Sequence, residues 1–455
     1  MKDRLRAALQ GCPADYAEIR FEEYDGSSFG YRGKDLDTAT TACSCGGVIR
    51  ACVKGGWGTC VFDTLDNLRA KVWEACADAA LVGQEKTLLA EVPIPPEIIS
   101  LPPFRHDFRE VSISAKLSLL KSYNDIILHH NPAIESSSVN YSEGIRTIYF
   151  ASTRGVYHQK RLPKILLSLG AFARQGDQVQ RAHESFSSGD DYQVVLGREQ
   201  TACEIAQRAA ALLQAPKCEG GRHTVVLRPD FAGVFIHEAF GHLSEADFLY
   251  ENDKMRALMQ LGRKVGGPAL NVYDDGTLPG LAGTLPVDDE GTPPQRTALI
   301  RDGVLAGHLH SLETAGKMGA RPTGNARTVG RHHVPIVRMT NTFIDNGPLS
   351  KEELFAGVDD GIYACGLFGG QTMMEMFTFS AAYAYRIKNG QLGELVRDVV
   401  MSGNVFQTLH TIDGIANDLT IVNRGGGCGK NGQAPLPVTF GGPHIRIQDV
   451  LIGGK

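Results

Sequence analysis

The chain has 455 residues, of which 42% are hydrophobic and 21% charged, and its formal net charge is -5 at pH 7. This composition is ordinary for a folded protein and excludes a mainly disordered chain. The acidic balance gives no electrostatic footprint for nucleic acid or an anionic membrane. The first residues lack the apolar stretch of a signal peptide, and no later stretch could span a bilayer. We therefore expect a cytoplasmic protein whose ten cysteines are free thiols or metal ligands.

The N-terminal half carries the patterns of both helices and strands. Apolar residues at helical spacing predict helices at 1–11, after Asp63, at 114–129 and at 199–214. Apolar alternation predicts strands at 16–21, 48–53, 57–62, 145–150 and 156–160. Lys54-Gly55-Gly56 joins two of these strands in a hairpin, and five prolines within 92–103 predict an extended linker.

The C-terminal half changes to strands and loops. Short apolar runs predict strands at 224–227, 299–301, 304–309, 334–344, 385–388, 392–396 and 445–452. Asp302-Gly303 and Asn389-Gly390 are hairpin turns, Ser350 opens a capping box, and Pro229-Asp230 suits the start of a helix.

These elements predict an α+β fold with two domains. We expect an N-terminal α/β two-layer domain over 1–220, rich in helix, and a mainly antiparallel β C-terminal domain over 221–455. The helix that begins near Pro229 is expected between them.

That helix carries two histidines and a glutamate, in the sequence His237-Glu238-Ala239-Phe240-Gly241-His242. In zinc proteases, histidines four residues apart leave one helix face together. Here the spacing is five, which on a regular helix separates the two rings by about 140°. We therefore predict that the helix is underwound to the π form, or broken near Gly241, so that both rings reach one ion.

A catalytic zinc site requires a third protein ligand. Glu245 follows His242 by three residues and would return to the same helix face, although a carboxylate there is as easily a surface charge. Cys428 lies in a glycine-rich loop that could aim its thiol at an ion, with Lys430 near enough to hold a thiolate. The residues alone leave both candidates open. Glu238 is the candidate general base, and its alternative role is a surface glutamate.

Three other groups have weaker functional interpretations. The acidic run Asp288-Asp289-Glu290-Gly291-Thr292 could bind a hard cation, but a solvated turn is preferred. His332 and His333 could donate hydrogen bonds near the site, but a polar strand entry is the commoner role. A second zinc site at Cys43, Cys45, Cys52 and Cys60 is disfavoured because their spacing lacks a zinc knuckle. Cys52 and Cys60 lie among strand residues, where a free cysteine is commonly a small buried apolar side chain.

Seven ordered blocks of the sequence resemble the TldD/PmbA family of zinc metalloproteases, proteins once called modulators of DNA gyrase. The resemblance covers nearly all of the chain after about Asp15. Besides the HEAFGH motif at 237–242 and the acidic run at 288–292, the blocks are Gly324-Asn325-Ala326-Arg327, Pro335-Ile336-Val337-Arg338-Met339-Thr340-Asn341-Thr342, Asp360-Gly361-Ile362-Tyr363, Gly369-Gly370-Gln371 and Cys428-Gly429-Lys430-Asn431-Gly432-Gln433.

The resemblance implies a zinc peptidase of the TldD-like branch, because the PmbA-like branch lacks HExxxH. It implies that His237, His242 and Cys428 bind zinc and that Glu238 is the base that activates a water on the metal. It also implies broad specificity for unfolded or extended peptides, which are held as an added strand. The implied assembly is a homodimer or a heterodimer with a PmbA-like subunit, and the acidic charge balance predicts no nucleic-acid or membrane partner.

One segment departs from the family pattern. After Gln371 a short polar segment is expected, whereas this chain has Thr372-Met373-Met374-Glu375-Met376. The methionines fit either a pocket surface or core filling. The alternative function is a non-catalytic peptide-binding or regulatory subunit of a TldD/PmbA-type complex, which a closed four-ligand site would favour. A DNA-associated role has only the old family name behind it.

Overall fold

The computed structural model of the protein describes residues 1–93 and 95–453. Ile94, within the expected linker, lies outside the described residues, and a later part of that linker forms a strand. The N-terminal helices are α1 (Lys2–Leu9), α2 (Leu68–Val82), α3 (Ile113–His130) and α4 (Glu199–Gln214). The N-terminal strands are β1 (Tyr16–Arg32), β2 (Asp35–Val53), β3 (Gly56–Phe62), β4 (Glu97–Ser100), β5 (Ile134–Ser152), β6 (Tyr157–Gln175) and β7 (Gln178–Ser188).

The N-terminal strands form one sheet in the order β3-β2-β1-β5-β6-β4, with β7 also paired to β6. Four of these strands are 17 or 19 residues long, so the expectation of a helix-rich N-terminal domain is wrong. The sequence predicts β1 only over 16–21. The strand continues to Arg32 because β2 and β5 pair with it on both sides, which satisfies its backbone through glycines and serines that interrupt the apolar alternation.

The two faces of this sheet differ in chemistry. One face is apolar and packs under α1 and α2 at one end and under α3 and α4 at the other. The other face carries charges at every second position, because neighbouring side chains in a strand point to opposite faces. We call it the charged face, and its residues include Glu18, Arg20, Glu22, Arg50, Arg146 and Lys160. It is covered by the C-terminal part of the chain.

The C-terminal helices are α5 (Pro229–Ile236), α6 (Asp253–Leu258), α7 (Leu312–Met318), α8 (Lys351–Ala356) and α9 (Val405–His410). The C-terminal strands are β8 (Gly221–Leu227), β9 (Val272–Asp275), β10 (Arg296–Arg301), β11 (Val304–Leu305), β12 (Ala326–Arg327), β13 (Ile336–Val337), β14 (Asn341–Ile344), β15 (Asp360–Met373), β16 (Met376–Lys388), β17 (Gln391–Val396), β18 (Val400–Asn404), β19 (Ile412–Ile415), β20 (Thr420–Val422), β21 (Gly427–Lys430), β22 (Gln433–Pro437), β23 (Thr439–Gly442) and β24 (Ile445–Gly453).

Two larger sheets form the C-terminal part. One runs β15-β8-β24-β18-β16-β17, and the additional pairing of β15 with β16 closes five of its strands into a ring. The other runs β11-β10-β9-β14-β23-β20. Among the described C-terminal strands only β8 with β15 and β14 with β23 pair in parallel. The predicted α+β class with a mainly antiparallel C-terminal part is therefore confirmed, while the division into domains at residue 220 stays a prediction.

The expected turns and caps are present. Asp302 and Gly303 have positive φ, as do Asn389 and Gly390, which is what a two-residue type I′ hairpin turn requires. The capping box at Ser350 is also confirmed. The single strand expected at 334–344 is divided into β13 and β14.

The helix α5 follows β8 directly and contacts both C-terminal sheets through β15, β14 and β23. Pro229 stands in its first turn, where a missing backbone N–H costs nothing. Its contact with β23 is very close, since a Cβ on Gly233 would lie 2.6 Å from the backbone nitrogen of Gly441. This packing fixes the helix that leads into the motif.

None of the helices in the described residues combines the length and the apolar character needed to cross a membrane.

Candidate metal centre

The chain changes from the α to the π form at the motif. His237–Gly241 is a π-helical turn, in which the backbone N–H of His242 donates to the carbonyl oxygen of His237. The rings of His237 and His242 thereby come to a centroid separation of 5.3 Å, with their planes at 78°. The predicted underwinding is confirmed, and it places both imidazoles on one side of the chain.

Gly241 is needed for packing rather than for an unusual backbone conformation. Its φ of -57° and ψ of -48° are ordinary helical angles. A Cβ at this position would lie 2.1 Å from Sδ of Met339, far inside contact distance. Glycine therefore lets the π-helical turn approach the segment between β13 and β14.

Cys428 joins the two histidines. The ligand atoms of His237, His242 and Cys428 all lie within 4.8 Å of one another, and Sγ of Cys428 is 3.1 Å from Nε2 of His242. Cys428 stands on β21, which pairs with β22 so that Leu436 lies opposite it. The structure thus brings together three of the four predicted site residues across 186 positions of sequence.

The donor set fits a tetrahedral zinc ion. Usual zinc–nitrogen and zinc–sulfur lengths put the nitrogen and sulfur of such a site roughly 3.6 Å apart. Nε2 of His242 and Sγ of Cys428 are 3.1 Å apart, so they need to move only slightly further apart to hold zinc. His237 is 1% exposed, and among the described residues its ring nitrogens have no hydrogen-bond partner apart from the Cys428 thiol. A buried ring with so little hydrogen bonding is costly, and a metal would use one of its nitrogens.

Glu245 supports His242 from the side of the ring that faces away from Cys428. Its Oε2 lies 3.0 Å from Nδ1 of His242, so a proton on Nδ1 leaves Nε2 as the nitrogen for an ion. The carboxylate is fully buried and also accepts the backbone N–H of Met339 at 3.2 Å. Of the two candidates for third ligand, Cys428 stands with the histidines and Glu245 stands behind one of them.

Lys430 contacts the supporting carboxylates instead of the thiol that it was expected to hold. Its Nζ lies 3.0 Å from Glu245 and 2.5 Å from Asp247, and donates to the carbonyl oxygen of Val337 at 2.8 Å. The carboxylate of Glu245 therefore lies between two cationic groups, the ring of His242 and the ammonium group of Lys430, which stabilise its negative charge.

Arg338 holds the hairpin that carries the thiol. Its guanidinium donates to the carbonyl oxygens of Cys428 at 2.7 Å and of Gln433 at 3.0 Å. The side chain is fully buried. Both strands of the β21–β22 hairpin are thus tied to the segment that also contacts Gly241 and Glu245.

The electrostatics of the group favour a thiolate. Burial raises the pKa of the Cys428 thiol, but His237 and His242 outweigh it and lower that pKa to about 5. Burial lowers the pKa of His242, but Glu245 and the Cys428 thiolate raise it to about 11. Burial likewise raises the pKa of Glu245, and His242 and Lys430 bring it down to about 2. The thiol is therefore ionised against the positive charge of the imidazoles, and a bound cation would take the place of an imidazole proton beside the sulfur.

Glu238 lies on the accessible side of the group. Its side chain is 31% exposed, and its Oε2 is 3.9 Å from Nε2 of His242. A carboxylate in this place can meet a water or a substrate atom beside the ligands.

The acidic run at 288–292 is not a solvated turn. Asp288, Asp289 and Glu290 are at most 4% exposed, so that expectation is wrong. Asp289 lies 2.8 Å from Lys160, and Glu290 lies 2.8 Å from Arg50. The run is buried because it meets cations of the charged face, and it ties the two parts of the chain together.

The remaining candidates lie away from the ligand group. Nε2 of His332 is 2.8 Å from Oδ1 of Asp63 in the N-terminal part. Among the described residues the four N-terminal cysteines form no metal-binding group, and of these only Cys52 is buried. The alternative that the methionines after Gln371 fill the core is wrong, because Met373 is 70% exposed, Met374 70% and Met376 52%.

Asp247 and Arg338 were missed as functional residues, and Glu245 was weighed only as a metal ligand or a surface charge, although the sequence carries a signal for each supporting role. Glu245 and Asp247 follow His242 by three and five residues, close enough to turn back onto it. Arg338 is a lone cation between the apolar Val337 and Met339, and a charge in such a place is buried only with partners.

Fold and site together define an α+β protein with a buried candidate zinc centre on a π-helical turn. Three family models of the PmbA/TldA metallopeptidases match the chain: domain 1 over residues 17–81, the central domain over 106–214 and the C-terminal domain over 220–454. The chain belongs to the PmbA/TldD family.

Relatives in this family are named metalloproteases. One from Synechocystis sp. is 42% identical over 441 residues, which are 97% of this chain and 95% of the relative. A zinc metalloprotease TldD homolog of Saccharolobus solfataricus is 28% identical over 451 residues, 97% of each chain. The crystal structure of TldE from Thermococcus kodakarensis has a TM-score of 0.77 at 18% identity and covers 100% of both chains. This likeness shows the shared fold.

Proposed function

We propose that this protein is a zinc-dependent peptidase that hydrolyses unfolded or extended peptides with broad specificity. The observation that carries the proposal is the group of His237, His242 and Cys428, with Glu238 at its accessible side. Relatives named metalloproteases, similar over nearly the whole chain, support it.

His237, His242 and Cys428 would hold the ion through two imidazole nitrogens and a thiolate. When bound, zinc supplies Lewis acidity, which polarises a carbonyl oxygen and lowers the pKa of a water. Glu238 accepts the proton of the attacking water and passes it to the leaving amine nitrogen. Glu245 keeps the ring of His242 in one tautomer and one orientation.

A non-catalytic subunit would be favoured by a closed site with four protein ligands. Only three of the described residues form the group. Of the two carboxylates beside it, Glu245 is engaged with Nδ1 of His242 and with Lys430, and Glu238 lies 3.9 Å from Nε2 of His242 on the accessible side. An open fourth position supports the peptidase over the binding subunit.

An open strand edge near the site supports extended peptides as substrates. β15 pairs with β8 only over residues 361–364, whereas β16 follows it along its length. Beyond residue 364 its other edge has no partner among the described strands, and the π-helical turn contacts β15. A peptide added there would be bound mainly through its backbone, which favours broad specificity.

We also propose that the protein works as a dimer, with a second copy or with a PmbA-like subunit. The turn between β15 and β16 exposes Met373, Met374 and Met376, and exposed methionines are common at interaction surfaces. Light scattering of the protein alone and with a PmbA-like subunit tests this, and a monomer in both samples would contradict it.

The decisive experiment compares two variants for zinc content and for cleavage of an unfolded peptide. Glu238→Gln is expected to keep zinc and lose cleavage, whereas Cys428→Ser is expected to lose zinc. Glu251→Gln, at an exposed glutamate, is the matched control for Glu238. Cleavage that survives Glu238→Gln, or that survives complete chelation of metal, would refute the proposed function.

A further inference from the structure

A cavity of about 600 Å³ lies between the charged face of the N-terminal sheet and the C-terminal part. One wall comes from β5 and β6, and the opposite wall from residues 276–294 and from the end of β22. This volume is typical of a site for a small ligand or for part of a larger one.

The lining of the cavity has more cations than anions. Its carboxylates, Glu143, Asp190 and Asp289, are each ion-paired to a cation. Of its five cations, Arg146 and Lys160 are ion-paired to carboxylates. No carboxylate of the described residues lies at ion-pair distance from the other three, which are Arg161, Lys164 and Arg327.

Of these three cations, Lys164 has the weakest contacts to compensate its charge. It lies on the charged face, four residues after Lys160 on β6, and its Nζ donates to the carbonyl oxygen of Gly425 at 3.3 Å. Burial, and then the nearby Arg146, lower the pKa of its ammonium group. Lys164 is half-buried; an ammonium group partly removed from water without a counter-charge is costly, and a bound anion would supply the missing charge.

Arg327 is the cation of the cavity lining that lies next to the candidate metal centre. It donates to the carbonyl oxygens of Met339 and Pro437, and Met339 is the residue that contacts Gly241 of the motif. Leu436, which lies opposite Cys428 in the hairpin, also lines the cavity. The cavity and the ligand group therefore share one wall.

We propose that this cavity binds a carboxylate group of the peptide, with Lys164 and Arg327 as the cations that recognise it. A carboxylate is the anion that peptides carry, either at the C-terminus or on an acidic side chain. This inference rests on the proposed peptidase function for the identity of its ligand, while the binding step itself can be measured without cleavage.

Two pairs of fluorescently labelled, unstructured peptides test it. In the first pair the C-terminus is a free acid or an amide; in the second, both ends are blocked and one internal residue is Glu or Gln. Affinities are measured by anisotropy with the Glu238→Gln protein, so that no peptide is cleaved. The anionic member of one pair is expected to bind about tenfold more tightly, as for one hydrogen bond to a charged group, and that pair identifies the source of the carboxylate.

A second set of measurements assigns the preference to the cavity. Adding Lys164→Gln should remove most of the difference, whereas Lys164→Arg should keep it. Lys34→Gln, at an exposed lysine in the turn between β1 and β2, removes the same charge elsewhere and should change nothing. Equal binding of both members of each pair by the starting protein, or a preference that survives Lys164→Gln, would overturn the inference.

The two proposals fail in different ways. Charge-selective binding without cleavage by the zinc-loaded protein would sustain the cavity site and refute the peptidase. Cleavage with no charge preference in affinity or in KM would do the reverse.

Discussion

Nδ1 of His242 lies 3.0 Å from Oε2 of Glu245, while Nε2 of the same ring lies 3.1 Å from Sγ of Cys428. The ring is therefore held between a carboxylate and the thiol of a distant hairpin. Such a partner fixes the tautomer of a metal-binding histidine and increases the electron density at the nitrogen that meets the ion.

Glu245→Gln is expected to weaken zinc binding by about 10- to 100-fold, because a neutral amide polarises the imidazole less and leaves the buried Lys430 with less negative charge. Competition with a chromogenic chelator measures the affinity. The exposed Glu251→Gln serves as the control, and an unchanged affinity in Glu245→Gln would remove Glu245 from the support of the site.

Gly241→Ala is expected to destabilise the protein, although alanine is preferred to glycine by about 1 kcal/mol in an ordinary helix. The new Cβ would lie 2.1 Å from Sδ of Met339, and such overpacking costs about 1–3 kcal/mol. Chemical unfolding measures the change. Because the clash is with one side chain, Gly241→Ala should cost less in a Met339→Ala background than in the unchanged protein, and a stabilised Gly241→Ala would contradict this packing.

Arg338→Lys is expected to lower zinc affinity about tenfold while the fold is retained. A lysine cannot reproduce the fork that donates to both Cys428 and Gln433, so the hairpin that carries the thiol becomes looser. Competition with a chromogenic chelator measures the affinity. Arg301→Lys, at an exposed arginine of β10, is the matched control, and equal affinities in the two variants would argue against this role of Arg338.

The local geometry of the motif could be predicted because a zinc ion accepts few arrangements. Five-residue spacing between His237 and His242 is incompatible with one ion on an α-helix, and that misfit alone predicted either a π-helical turn or a break near Gly241. The third ligand could not be derived in the same way. Whether Glu245 or Cys428 meets the histidines depends on a hairpin 186 residues away, and only the family resemblance favoured the cysteine.

Burial of charge was the part of the fold that the sequence concealed. The sequence around Asp289 and Glu290 predicts a solvated turn, because the cations that pair with these carboxylates are far away in the chain, at Arg20, Arg50 and Lys160. Charges at alternate positions of β1, such as Glu18, Arg20 and Glu22, are the usual mark of a face in water. In this protein a second part of the chain covers that face, and no local pattern distinguishes the two cases.

Asp289→Asn tests whether these buried charges hold the two parts together. The carboxylate lies 2.8 Å from Lys160 and 3.4 Å from Arg20, and removing one partner of a buried pair costs about 3–5 kcal/mol. Urea unfolding at pH 7 should show a loss of this size. Asp66→Asn, whose partner Arg4 is 3.5 Å away at the surface, should change the free energy of unfolding by less than about 1 kcal/mol.

The effect of Asp289→Asn should also depend on pH in a defined direction. Burial raises the pKa of Asp289, but Lys160 and Arg20 outweigh burial and hold it well below its ordinary value of 3.8. A carboxyl whose pKa is lower in the folded than in the unfolded state stabilises the fold above the unfolded value, and that contribution is lost as the pH falls below it. The difference in unfolding free energy between the two proteins should therefore be constant from pH 7 to about pH 5 and shrink below pH 4. A difference that grows on acidification would show that Asp289 is not the ionised partner of Lys160.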